Sequence, residues 1–131
     1  MNKESTLILH VDDDEDDLFI IGDALKKAHQ SLNIVEANDG NEAIQYLKQA
    51  QQLPDLIILD INMPGMDGRE TLKVLKQHEH WKAIPTVVLS TSSDPLDKEF
   101  CNHYQVDLVT KPMEITELRK TAHVLLDYFK G

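Results

Sequence analysis

Three short apolar runs constrain the fold of this chain more than any other feature. Leu7-Ile8-Leu9-His10-Val11, Leu56-Ile57-Ile58-Leu59 and Thr86-Val87-Val88-Leu89 are continuous rather than alternating. A strand with one solvated face alternates apolar and polar residues. A continuous run needs apolar cover on both faces, which a parallel sheet flanked by helices provides. Asn33-Ile34-Val35-Glu36 and Asp107-Leu108-Val109 are weaker strand candidates, placed nearer the sheet edges.

Between these runs, apolar residues return at helical spacing. Leu18, Ile21, Leu25 and Ala28 form one face, and Ala43, Ile44, Leu47 and Ala50 a second. Leu72 with Leu75 makes a shorter third, and Leu118, Ala122, Leu125 and Phe129 line a fourth. The segment from Pro95 to Tyr104 carries the weakest helical pattern. Asp39-Gly40, Met63-Pro64-Gly65 and Asp67-Gly68 supply turns and caps. Five strands alternating with five helices predict an α/β chain, a (βα)5 three-layer sandwich around a parallel sheet. The expected organisation is a single domain over residues 1–131, with its core at about 6–129, no linker and no internal repeat.

Charge narrows the function classes. Lys plus Arg number 13 and Asp plus Glu 23, giving a net charge of 13 − 23 = −10. Six of those acids stand together as Asp12-Asp13-Asp14-Glu15-Asp16-Asp17; without them the balance is −10 + 6 = −4. Such a chain lacks the basic clusters that nonspecific nucleic-acid binding requires. No apolar run approaches the ~18 residues of a membrane span. Cys101 is the single cysteine, which excludes an internal disulfide and fits a reducing compartment. The apolar segment near the N-terminus is too short for a signal peptide. A cytoplasmic protein is expected.

In open parallel sheets, ligands bind beyond the carboxyl ends of the strands. Residues just after each strand should therefore converge: Asp12 and Asp13 after the first, Asp60 after the third, Ser90 after the fourth and Lys111 after the fifth. Three clustered carboxylates call for a hard cation, and Mg²⁺ is held by one or two carboxylates while keeping positions for water and phosphate oxygens. A carboxylate is also a nucleophile that accepts phosphoryl groups as an acyl phosphate. An ammonium and a hydroxyl nearby would stabilise the transferred charge. Taken singly, each of these residues reads more readily as a helix cap or a turn. Agreement among four strand ends is what capping alone does not account for.

Val11-Asp12-Asp13, the segment Leu59-Asp60-Ile61-Asn62-Met63-Pro64-Gly65-Met66-Asp67-Gly68, Leu89-Ser90-Thr91 and Thr110-Lys111-Pro112 resemble the motifs of the receiver domain of bacterial two-component response regulators. The resemblance spans about residues 6–129 and implies a flavodoxin-like sheet of strand order 2-1-3-4-5. It implies Asp60 as phosphoacceptor for a histidine kinase or a histidine phosphotransfer protein, with Mg²⁺ as cofactor. Asp13 would be a direct metal ligand, Asp12 would complete the acidic pocket, and the backbone carbonyl of Asn62 would be a further ligand. Ser90 matches the switch hydroxyl and Lys111 the lysine that pairs with the phosphoryl group. The resemblance also makes the Lys111-Pro112 peptide a candidate for the cis form. The family's docking face corresponds to residues 94–129, open to a downstream protein or a second copy of the chain, with no output domain expected. Leu108 stands where the family often carries an aromatic switch residue.

Rival readings are weaker. Asp12, Asp14, Asp16 and Asp23 fall at EF-hand loop positions, but Asp17 occupies the position that needs Gly, and Asp23 replaces the bidentate Glu. A haloacid-dehalogenase-like phosphatase would need a second acid at position 62, where this chain has Asn62. A phosphate-independent pseudo-receiver would have no use for the intact set Asp12, Asp13, Asp60, Ser90 and Lys111. The chemistry is expected to be self-modification, not turnover of a substrate. The six histidines lack ligand spacing, and Asp14 to Asp17 are expected to start a helix without a part in the site.

Overall fold

The computed structural model describes residues 6–63, 66–91 and 94–128. Phe129 and the Pro64-Gly65 turn lie outside the described residues. Five parallel strands form one sheet: β1 (Thr6–Val11), β2 (Leu32–Ala37), β3 (Leu56–Asp60), β4 (Thr86–Ser90) and β5 (Asp107–Thr110). Their order is β2-β1-β3-β4-β5, as the family resemblance implied. Five helices alternate with them: α1 (Glu15–Ala28), α2 (Gly40–Gln49), α3 (Gly68–Gln77), α4 (Pro95–His103) and α5 (Ile115–Leu126).

The continuous apolar runs explain the layering. Odd and even residues of β1 and β3 point to opposite faces, and both faces are filled. Leu9, Val11, Ile57 and Leu59 pack with Ile44, Leu47, Leu72, Leu75 and Cys101 of α2, α3 and α4. Ile8 and Ile58 pack with Ile21, Leu25, Leu118 and Leu125 of α1 and α5. The edge strands β2 and β5 are only partly buried, which matches their weaker apolar character. Among the described residues, no helix is long and apolar enough to cross a membrane.

The weak pattern of α4 has a specific cause. Its buried residues are Asp97 and Cys101, one turn apart, and Leu96 is left 70% exposed. A carboxylate occupies a core-facing position because Arg69 of α3 pairs with it. The helix starts firmly all the same: the Asp94 side chain accepts the Leu96 N–H at 2.9 Å, and Pro95 supplies the first helical residue.

Candidate functional site

The site is assembled by backbone bonds that run one residue past the strand ends. Asp12 N–H donates to the Ala37 carbonyl at 3.0 Å, Ile61 N–H to Leu89 at 3.0 Å, and Lys111 N–H to Ser90 at 2.7 Å. Pairing of Val11 with Leu59 and of Ser90 with Thr110 then sets Asp12 beside Asp60 and Lys111 beside Ser90. Asp12, Asp60, Ser90 and Lys111 are all buried. Asp13 is exposed at the rim.

Turns hold the carboxylates in place. Asp12 Oδ1 accepts the Asp14 N–H at 2.9 Å, and Asp60 Oδ1 accepts the Asn62 N–H at 3.4 Å. After Asp60 the chain bends tightly: Gly68 N–H donates to the Ile61 carbonyl at 3.1 Å. A Cβ on Gly68 would overlap the Asp60 carbonyl oxygen and the Ile61 Cα, so only glycine lets α3 begin this close to Asp60. Asp67 caps α3 by accepting the Glu70 N–H at 3.0 Å.

Lys111 is the cation of the cluster. Its Nζ donates to Asp12 Oδ2 at 2.7 Å, to Asp17 Oδ2 at 2.9 Å and to Asp60 Oδ2 at 3.5 Å. Burial by itself would lower the Lys111 pKa. The hydrogen bonds to Asp12 and Asp17 and the charges of Asp60 and Asp12 outweigh it and raise the pKa above the usual lysine value. Asp60 responds in the opposite way. Burial pushes its carboxyl up from 3.8 to about 7, with Asp12 adding to the rise against the pull of Lys111.

The donor set suits a hard divalent cation. Asp12, Asp13 and Asp60 each offer one carboxylate oxygen, and these atoms lie within 4.8 Å of one another. Asp60 is reluctant to ionise in this setting, and a cation at these oxygens would reverse that preference.

The six-acid run divides differently from the sequence expectation. Asp14 is the helix cap, accepting the Asp16 and Asp17 N–H groups at 2.9 and 3.2 Å, as expected. Asp17, read from the sequence as a helix-start residue only, belongs to the site through Lys111. No local signal marks it, because its partner is 94 residues away. The Lys111-Pro112 peptide, a candidate for the cis form by resemblance, is trans. The trans preference before proline is only about 0.5–1 kcal/mol, so the motif does not fix the isomer.

His10 is fully buried in β1, and neither ring nitrogen has a hydrogen-bond partner among the described residues. Burial, then the charge of Lys111, lowers its pKa from 6.5 to about 3, so the ring is neutral. His78 stacks on Trp81 with ring centroids 3.6 Å apart, and its Nδ1 accepts the His80 and Trp81 N–H groups, a structural role. Leu108 is partly buried against the α4-side core together with Phe100 and Tyr104.

The chain is similar to known proteins in sequence and in fold. A family model described as the response regulator receiver domain matches residues 8–123. The probable methanogenesis regulatory protein FilR2 of Methanothrix harundinacea is 33% identical over 135 residues, spanning 98% of this chain and 86% of FilR2. The response regulator Rcp1 of Synechocystis sp. is 36% identical over 105 residues, spanning 74% of this chain and 71% of Rcp1. The Mn²⁺-bound structure of Rcp1 superposes with a TM-score of 0.86 at 31% identity, over 94% of this chain and 93% of the other. The phosphorylated cyanobacterial phytochrome response regulator RcpA gives a TM-score of 0.90 at 32% identity, over 97% of this chain and 95% of the other.

Proposed function

This chain belongs to the response regulator receiver domain family and has its phosphoacceptor signalling role, and we propose that Asp60 is the acceptor. Receiver domains interact with histidine kinases or histidine phosphotransfer proteins, and such a protein is the donor in this reading. An Asp60 carboxylate oxygen attacks phosphorus, the N–P bond of the donor phosphohistidine breaks, and an acyl phosphate forms on Asp60. The observation that carries the reading is the approach of Lys111 Nζ to Asp60 Oδ2, 3.5 Å, at strand ends where Asp12 and Ser90 are also buried.

Each residue has a role that follows from its place. Lys111 pairs with a phosphoryl oxygen, and the Ser90 hydroxyl donates to another. Asp12, Asp13, Asp60 and the Asn62 carbonyl would hold Mg²⁺. When bound, the metal supplies positive charge that favours ionised Asp60 and neutralises the phosphoryl oxygens. Asn62 contributes its backbone N–H to Asp60 and cannot shuttle a proton as a phosphatase acid would, which disfavours the haloacid-dehalogenase reading. The chemistry is one phosphoryl group per chain and its hydrolysis, in the cytoplasm.

Phe19 on α1, Met113 in the loop before α5 and Ile115 at its start are exposed apolar residues lining a groove beside Asp17, a surface suited to the donor. The signal would leave through residues 94–129, that is α4, β5 and α5, to a downstream protein or a second copy of the chain. Leu108 in place of an aromatic residue makes that coupling depend on the packing of Leu108, Phe100 and Tyr104. Acetyl phosphate with a Mg²⁺ salt should add one base-labile phosphoryl group per chain. Labelling that persists in Asp60→Asn would overturn the assignment.

A further inference from the structure

Lys111 has more acceptors than a phosphoryl-pairing lysine requires. An ammonium carries three protons, and the two shortest contacts of Nζ go to Asp12 at 2.7 Å and Asp17 at 2.9 Å. Asp60, where the phosphoryl group would arrive, receives only the longest contact, 3.5 Å. The cation is therefore held toward α1 and away from the reacting carboxylate.

The two holding carboxylates are not equivalent. The Asp12 side chain is 0% exposed, and losing its cation would leave a buried carboxylate with the Asp14 N–H but no counter-charge. The Asp17 side chain is 20% exposed, at the first turn of α1, and water can solvate it once Lys111 leaves. Its backbone N–H is bound to the Asp14 cap, so the side chain is carried on a fixed helix start. A phosphoryl group brings more charge than a carboxylate and would compete for the same ammonium. Asp17 is the acceptor that can be given up.

Building on the assignment of Asp60 as phosphoacceptor, we propose that Asp17 is a positioning residue that holds Lys111 off Asp60 in the unphosphorylated protein. Entry of a phosphoryl group exchanges Asp17 for a phosphoryl oxygen on Nζ. The stability of the phosphorylated state is then set in part by a residue that never touches the phosphoryl group.

The test uses the whole chain and beryllium fluoride with Mg²⁺ as the phosphoryl mimic. Asp17→Asn should bind the mimic about fivefold more tightly than wild type, the ratio set by one partly exposed ion pair. Asp16→Asn removes the same charge from an exposed neighbour that makes no contact with Lys111, and should change affinity by less than about twofold. Equal effects of the two variants would overturn the proposal, as would weaker binding by Asp17→Asn. Wild-type protein gives a second readout independent of any variant: on adding the mimic, the Asp17 carboxyl carbon and the Lys111 Nζ resonances should shift together in NMR spectra. A Lys111 shift with Asp17 unmoved would also overturn it. Mimic binding to wild type with these results absent leaves Asp60 as acceptor; no binding to wild type removes both assignments.

Discussion

Replacing Asp60 by Asn should stabilise the metal-free protein, by an amount that grows with pH. The unfolded chain ionises Asp60 near its ordinary 3.8, whereas the folded protein keeps the proton until about 7. Between those values the unfolded state binds fewer protons, so stability falls as pH rises and then levels off above about 7. Each tenfold step in acidity is worth about 1.4 kcal/mol, so the raised pKa of Asp60 costs about 2 kcal/mol of stability at about pH 5, where the folded carboxyl is still protonated, and about 4 kcal/mol at about pH 8, where it is ionised. Asn retains an oxygen for the Asn62 N–H and carries no charge, while Lys111 keeps Asp12 and Asp17. Urea unfolding with a chelator present, followed by the fluorescence of buried Trp81, measures the difference at each pH. An Asp60→Asn protein no more stable than wild type at about pH 8, or a gain that does not change with pH, would refute the claim that burial and Asp12 govern this carboxyl. Millimolar Mg²⁺ should shrink or reverse the advantage, since a cation favours the ionised carboxylate of wild type.

His10 has the opposite pH dependence: the unfolded ring takes a proton below 6.5 and the folded ring stays neutral down to about 3, so stability is lost as pH falls through that window. In Asp60→Asn, where the opposing slope is gone, stability should climb by about 3 kcal/mol between about pH 4 and about pH 6.5; a flat profile there would contradict the burial of a neutral His10. His10→Leu should be about 2 kcal/mol more stable than wild type at about pH 5 by the same unfolding assay, and no more stable near pH 8 than its packing alone gives. Asp13→Ala should cut the increase in Tm that Mg²⁺ produces to less than half, with little effect on the metal-free protein, because Asp13 is exposed; an unchanged increment in a thermal melt would move the metal elsewhere. Gly68→Ala should cost about 1–3 kcal/mol in urea unfolding, because its methyl group would displace the backbone of Asp60, and it should slow labelling by acetyl phosphate. Normal stability and labelling in that variant would mean that α3 can move away without disturbing the acceptor.

The layered fold and four of the site positions were legible in the sequence for one reason. Continuous apolar runs require a sheet covered on both sides, and a parallel sheet gathers the residue after every run at one edge. Asp12, Asp60, Ser90 and Lys111 therefore meet wherever those runs pair in order, and the register of Val11 with Leu59 and Ser90 with Thr110 is enough to bring them together. The caps were legible too, since Asp14, Asp39 and Asp67 bond N–H groups two or three residues away. Their partners lie inside the same short segment.

What only the tertiary structure decided depends on contacts between distant elements. Asp17 looks like its acidic helix-start neighbours until α1 is laid against the segment that leads into α5, and only then does it join Asp12 in facing Lys111. Asp97 reads as a surface acid until Arg69 of α3 reaches it, which is why α4 carried so weak a helical signal. His10 has the place of one more strand residue, and its complete burial with no hydrogen-bond partner among the described residues arises only once the chain is folded. Hydrophobic periodicity is a local pattern and fixes which way a segment faces. The protonation of Asp60 and the partners of Lys111 are sums over charges brought together from the ends of three strands and one helix, and those sums exist only in the folded chain.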